Sequence, residues 1–172
     1  MKGLLSTVPL LVILLLFPGC DAGEEPSGPV AGPEVWLPLR IDAIPLSAQV
    51  VLTREEQRKG LMNRDSLPPD SGMLFPYLQP QRLSFWMANT RIPLDIGFFD
   101  REGLLREVHR LYPYDTTSTS SRRDDLQYAL EMNAGWFSAN GLYPGARLDP
   151  ESLAEALRRR GADPRRFGLD TD

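Results

Sequence analysis

One cysteine, one histidine and two lysines are all that the 172 residues supply of three chemically versatile side chains. With Cys20 alone, an intramolecular disulfide and a thiolate zinc site are both excluded. His109 stands in a charged stretch with no serine or cysteine motif beside it, so it reads as a surface histidine and nucleophilic catalysis has no evident players. No Asp-rich loop has the spacing of a calcium site. Although 17 of the 19 basic residues are arginine, the net charge is -4, which argues against a surface that tracks phosphates. Nucleic acid is therefore not an expected partner. Long apolar runs are also missing. The longest, Val8 to Phe17, has 10 residues and is interrupted at Pro9, whereas a bilayer core of about 30 Å takes about 20.

That short run, behind Lys2 and ahead of Cys20, reads as an export signal over residues 1–20. Gly19-Cys20 resembles the lipobox of bacterial lipoproteins, in which the cysteine sulfur carries a diacylglycerol; Phe17 and Pro18 depart from the usual pattern. Ordinary signal cleavage is the alternative. Lipidation at Cys20 would anchor the chain at the bacterial cell envelope, facing the periplasm, through two or three acyl chains at about 0.8 kcal/mol per buried methylene. Asp21 resembles the signal that retains lipoproteins in the inner membrane of some bacteria. Residues 21–33 are rich in proline and glycine and carry no aromatic side chain, so they read as a flexible tether with a coil reach of about 20 Å.

With 42% apolar and 24% charged residues, the remainder fits one globular domain rather than two. A β-rich domain is expected over 34–149, followed by a C-terminal helix and tail over 150–172. Val35-Trp36-Leu37 and Leu39-Arg40-Ile41 suggest an edge strand, because Pro38 lacks a ladder donor. Leu46, Ala48, Val50 and Leu52 alternate as one buried face. Thr53-x-x-Glu56 forms a capping box that opens a short helix, and Gly60 closes it. Met73–Phe75 is a short buried run, and Arg82–Asn89 reads as a strand with Leu83, Phe85 and Met87 on one side. Ile92, Leu94, Ile96 and Phe98 form the next apolar face, leaving Asp95 on the other, and Asp100–Gly103 turns the chain in a hairpin. Residues 112–125 make a polar loop, and Leu126 to Met132 alternate as a strand. Asp149-Pro150 starts the last helix and Gly161 stops it, with Leu153 and Leu157 inward and the arginines at 158–160 at its C-terminus needing no partner.

Four motifs occur in order: Gly60-Leu61-Met62-x-Arg64, Gly72-Met73-Leu74-Phe75, Phe85-Trp86-Met87-x-Asn89-Thr90-x-Ile92-Pro93-Leu94-Asp95, and Leu130-Glu131-x-Asn133-Ala134-Gly135-Trp136. Over residues 46 to 149 they resemble the DUF192 family, a prokaryotic domain of unknown function. The resemblance implies a mainly β, compact sandwich-like or barrel-like domain, often exported, and no established reaction or cofactor. Ala88 and Ala146 stand where that family commonly has a lysine and an acidic residue.

The polar motif residues Arg64, Asn89, Asp95, Glu131 and Asn133, with Trp86 and Trp136 as aromatic walls, are the candidate ligand-binding set. Asp95 also has a scaffold reading, in which it accepts backbone amides of the Thr90 to Pro93 turn or pairs with Arg64. Non-catalytic binding of a small molecule or another envelope ligand is the leading reading. A hydrolase using Asp95 and Glu131, which requires the two carboxyls to lie roughly 5 to 9 Å apart, is the competing one. A structural interaction protein is the third.

Overall fold

The computed structural model describes residues 30–169. Cys20, Asp21 and the export signal, and with them the lipidation reading, lie outside the described residues. Strands dominate, as the alternation patterns predict. β1 (Leu37–Ile41), β2 (Ile44–Val50), β3 (Ser71–Gln81), β5 (Leu94–Asp100), β6 (Leu105–Leu111) and β8 (Leu126–Asn133) make one mixed sheet in the order β1-β2-β3-β8-β5-β6. Only the β2–β3 pairing is parallel. β4 (Ser84–Phe85) and β7 (Thr119–Ser120) form a separate two-stranded piece. Among the described residues, three α-helices accompany them, α1 (Arg54–Lys59), α2 (Trp136–Ala139) and α3 (Pro150–Arg159), with a short 3-10 helix at Pro164–Phe167.

The sheet is not a closed barrel, so that half of the expected alternatives falls away. β1 and β6 remain its edges. The chain at 145–148 reaches only the end of β1 and the start of β6, by single bridges from Ile41 to Leu148 and from Leu104 to Arg147, without continuing either ladder.

Each face of the sheet carries its own apolar cluster. Leu39, Ile41, Leu74, Phe99, Tyr128, Leu130 and Met132 pack under α3 and α2 on one side. Met73, Phe75, Leu83, Met87, Ile96, Phe98 and Ala129 pack on the other. Central strands β5 and β8 are consequently buried on both faces along nearly their whole length.

Several expectations need correction. The strand read over Arg82–Asn89 survives only as β4. Asn89 takes φ 56 and the amide of Met87 bonds the carbonyl of Asp115, so the chain turns away before a ladder can extend. The alternation still sorted its side chains: Leu83 and Met87 are buried while Trp86 is half exposed. β3 is much longer than the Met73–Phe75 run. Pro76 is tolerated within it because β2 pairs only as far as Leu74, leaving that side of β3 free of a neighbour. Packing starts earlier than Glu34, since Ala31 is buried and exchanges bonds with Arg159 and Arg160.

Arg160 departs furthest from its reading as an unpartnered C-terminal charge. It is buried at the end of α3 and donates to the carbonyls of Val50 and Ala31 and to Glu56 Oε1 at 2.8 Å. The other oxygen of Glu56 accepts the amides of Leu52 and Thr53, which completes the capping box of α1. Burial alone would raise the Glu56 carboxyl, but these amides and Arg160 outweigh it and hold it below its usual value. A helix of 6 residues with no buried side chain is thereby fixed to the domain. It would otherwise be marginal, since short helices depend on tertiary ties.

Candidate functional site

Two cross-sheet rows place the candidate residues. In the first, Ala48, Gly72, Met132, Asp95 and Arg110 are successive register partners from β2 to β6. In the second, Gln49, Met73, Glu131, Ile96 and His109 follow one residue over. Since side chains of neighbouring residues in a strand point to opposite faces, Asp95 and Glu131 lie on opposite sides of the sheet. Met132 in one cluster and Met73 and Ile96 in the other confirm the assignment. The two carboxyls cannot share a substrate. The hydrolase built on that pair is therefore overturned.

Asp95 is fully occupied. Its Oδ1 accepts from Arg110 Nε at 2.5 Å, directly across the strand pair, and its Oδ2 accepts the amide of Gly135 at 2.7 Å. Gly135, at φ 87, supplies a left-handed turn after β8 that few other residues would adopt. Arg64 does not reach Asp95, as register gives Asp95 a nearer arginine. Instead Arg64 donates to Gln49 Oε1 at 2.5 Å and lies 5.9 Å from the ring centroid of Trp36. Trp136 is buried on the Asp95 side, its Nε1 donating to Asp70 at 2.8 Å. The Asn133 amide donates to the carbonyl of Pro68. Asn89 serves through its backbone, whose carbonyl accepts from Asn63. The side chains of Arg64, Asp95, Asn133 and Trp136, and the backbone of Asn89, each tie one segment of the scaffold to another.

Glu131 is the exception. It is 5% exposed, and burial pushes its carboxyl up to about 8 with no bond or neighbouring charge to offset the effect. It borders a cavity of about 30 Å³, enough for one or two water-sized groups. The rest of the lining is Gln57–Met62 at the end of α1, Phe75 on β3, Phe85 and Trp86 around β4, and Thr90. Phe75 and Phe85 meet edge to face, with centroids 5.0 Å apart. Tyr77 lies close enough for Glu131 to contribute, after burial, to raising its hydroxyl to about 12. Above the cavity a groove of about 420 Å³ opens to solvent between Glu55, Arg58, Lys59, Met62 and Trp86. Arg58, Lys59, Met62 and Trp86 border both spaces, so the groove is the mouth of the cavity.

Of the seven expected ligand-binding residues, the structure brings Trp86 and Glu131 together and places Arg64, Asn89, Asp95, Asn133 and Trp136 elsewhere. It adds Thr90, Phe75, Phe85 and the Gly60-Leu61-Met62 segment. A signal for the additions was present in the sequence, because each lies within one of the four motifs. Arg58 and Lys59 carried no signal beyond their place at the end of a short helix.

The model of the family DUF192, "Uncharacterized ACR, COG1430", matches residues 38–150. The chain belongs to that family. Two solved structures share the fold. A Sinorhizobium meliloti protein, proposed to be a transcription regulator, is 31% identical with a TM-score of 0.61, covering 66% of this chain and 91% of that one. A Novosphingobium aromaticivorans protein of unknown function is 29% identical with a TM-score of 0.64, covering 77% of this chain and 99% of the other. No curated protein matches the sequence. The DUF192 match spans all four motifs and, beyond them, every residue that lines the cavity.

Proposed function

We propose that this DUF192 protein is a membrane-tethered, extracytoplasmic binding domain that holds a small ligand in the Glu131 cavity without transforming it. The observation that carries this reading is the unpartnered carboxyl of Glu131 at the end of a cavity open to solvent. Burying such a group costs free energy unless something bonds to it. The carboxyl of Asp95, on the adjacent strand, shows that this fold satisfies such groups when they serve only the scaffold. Aromatic walls at Phe75, Phe85 and Trp86 give the cavity the mixed apolar and polar lining of a ligand site. Anchorage through Cys20 would hold the domain near the bilayer surface.

A thermal-shift screen of the purified full-length chain in detergent tests the binding reading. A compound that binds only the folded state raises the melting temperature. Hits should stabilise the natural chain and lose their effect in Glu131→Gln. Hits that act equally on both would place the ligand elsewhere. Cys20→Ser tests anchorage separately, and should release the protein from the membrane fraction.

A further inference from the structure

The cavity and its mouth differ in size and share two cations, Arg58 and Lys59, while the buried acid lies in the cavity alone, and together they describe a ligand. Inside, the carboxyl of Glu131 lies among aromatic rings; Arg58 and Lys59 also border the cavity, where it meets the groove, but neither offsets the effect of burial on the carboxyl. The groups around it are Tyr77 from β3, the aromatic Phe85 and Trp86 from around β4, Ile96 from β5, and Arg58 and Lys59 from the end of α1. Outside, the groove is bordered by two cations, Arg58 and Lys59, and one acid, Glu55.

We propose that the site takes a primary-ammonium zwitterion, its ammonium group against Glu131 in the cavity and its anionic group beside Arg58 and Lys59 in the groove. The claim rests on the ligand-binding reading above and names its chemistry. An ammonium group supplies the positive charge and donors that Glu131 lacks, and aromatic faces favour a cation. At about 30 Å³ the cavity admits an ammonium with about one methylene, and excludes a quaternary trimethylammonium. The anion cannot follow it inside and stays at the basic rim. Because free Glu131 holds its proton near neutral pH, engaging an ammonium releases that proton to solvent.

Isothermal titration of the full-length chain in detergent with O-phosphoethanolamine, ethanolamine, phosphocholine, ethylene glycol and inorganic phosphate tests this between pH 6 and 9. Phosphoethanolamine should bind, gaining roughly tenfold in affinity per pH unit up to about pH 8, with about one proton released as read from buffers of different ionisation heat. Phosphocholine should bind at least about tenfold more weakly. Glu131→Gln should abolish binding, while the Arg58→Ala, Lys59→Ala double variant should weaken phosphoethanolamine and leave ethanolamine unchanged. Co-sedimentation with phosphatidylcholine vesicles, with and without phosphatidylethanolamine, separates a lipid headgroup from a free metabolite as the source. If ethylene glycol binds wild type but not Glu131→Gln, and affinity falls as pH rises, the pocket reading stands and the ammonium claim is overturned. If none of the probes binds, or phosphate alone binds as well as phosphoethanolamine, the claim is overturned as well.

Discussion

Asp95 and Glu131 sit on adjacent strands, one residue apart in register, and are equally buried at 5% exposure. Their surroundings could hardly differ more. Asp95 accepts from Arg110 and from Gly135, so its charge is neutralised and both oxygens are used. Glu131 has neither, and meets a cavity instead. Burial therefore does not distinguish a structural carboxyl from a functional one. What distinguishes them is whether the fold itself supplies the partner.

The comparison breaks first at Asp95. Replacing it by alanine strips the Gly135 amide and the Arg110 guanidinium of their acceptor at once, and should destabilise the domain by about 3 kcal/mol. Half-exposed Arg110 can return to water, which keeps the loss from being larger. Denaturant melts of Asp95→Ala would show it, and a loss below about 1 kcal/mol would mean that the tie is dispensable.

Glu131 should show the opposite sign. Its folded-state value is raised from 4.5 to about 8, so the folded state holds a proton that the unfolded chain gives up. Stability should then fall as pH rises from about 4.5 to about 8, at up to about 1.4 kcal/mol per unit. Between pH 6 and 7.5 that is about 2 kcal/mol. Glu131→Gln should remove this slope, which isolates it from the carboxyls held low, such as Glu56, Glu107 and Asp149, whose losses come as pH falls. Parallel pH profiles for the two proteins would contradict the assignment.

A smaller effect is expected at Trp136, on the Asp95 side. Trp136→Phe keeps most of the ring and loses the bond to Asp70, which should cost about 1 kcal/mol. Ligand-induced stabilisation should be unchanged, because that side chain does not border the cavity.

Much of this arrangement was legible in the sequence. Alternation along Leu126–Met132 and Ile92–Phe98 located β8 and β5 and showed which side chains share a face within each strand. Thr53, Glu56, Gly60, Asp149 and Pro150 marked α1 and α3 by cap chemistry, which is local. Register between strands is not local. Whether Asp95 and Glu131 fall on the same face depends on a shift of one residue between β5 and β8, and a one-residue slip moves every side chain to the other side. The Asp95 to Arg110 pairing and the burial of Arg160 were hidden for the same reason, since their partners lie 15 and about a hundred residues away. Glu131 was recognised as a candidate, but its lack of a partner only appears once all neighbouring strands are in place.

Trp86 sharpens the contrast most finely. It is 49% exposed, contributes to neither apolar cluster and borders both the cavity and its mouth. Because so much of the ring already faces water, Trp86→Ala should change stability by no more than about 0.5 kcal/mol. Any bound ligand, however, would lose an aromatic wall where the cavity opens. The thermal shift produced by a hit should thus shrink by at least half in Trp86→Ala while the unliganded melting temperature barely moves. An unaltered ligand shift would mean that the mouth plays no part in binding and that recognition ends at the carboxyl beneath it.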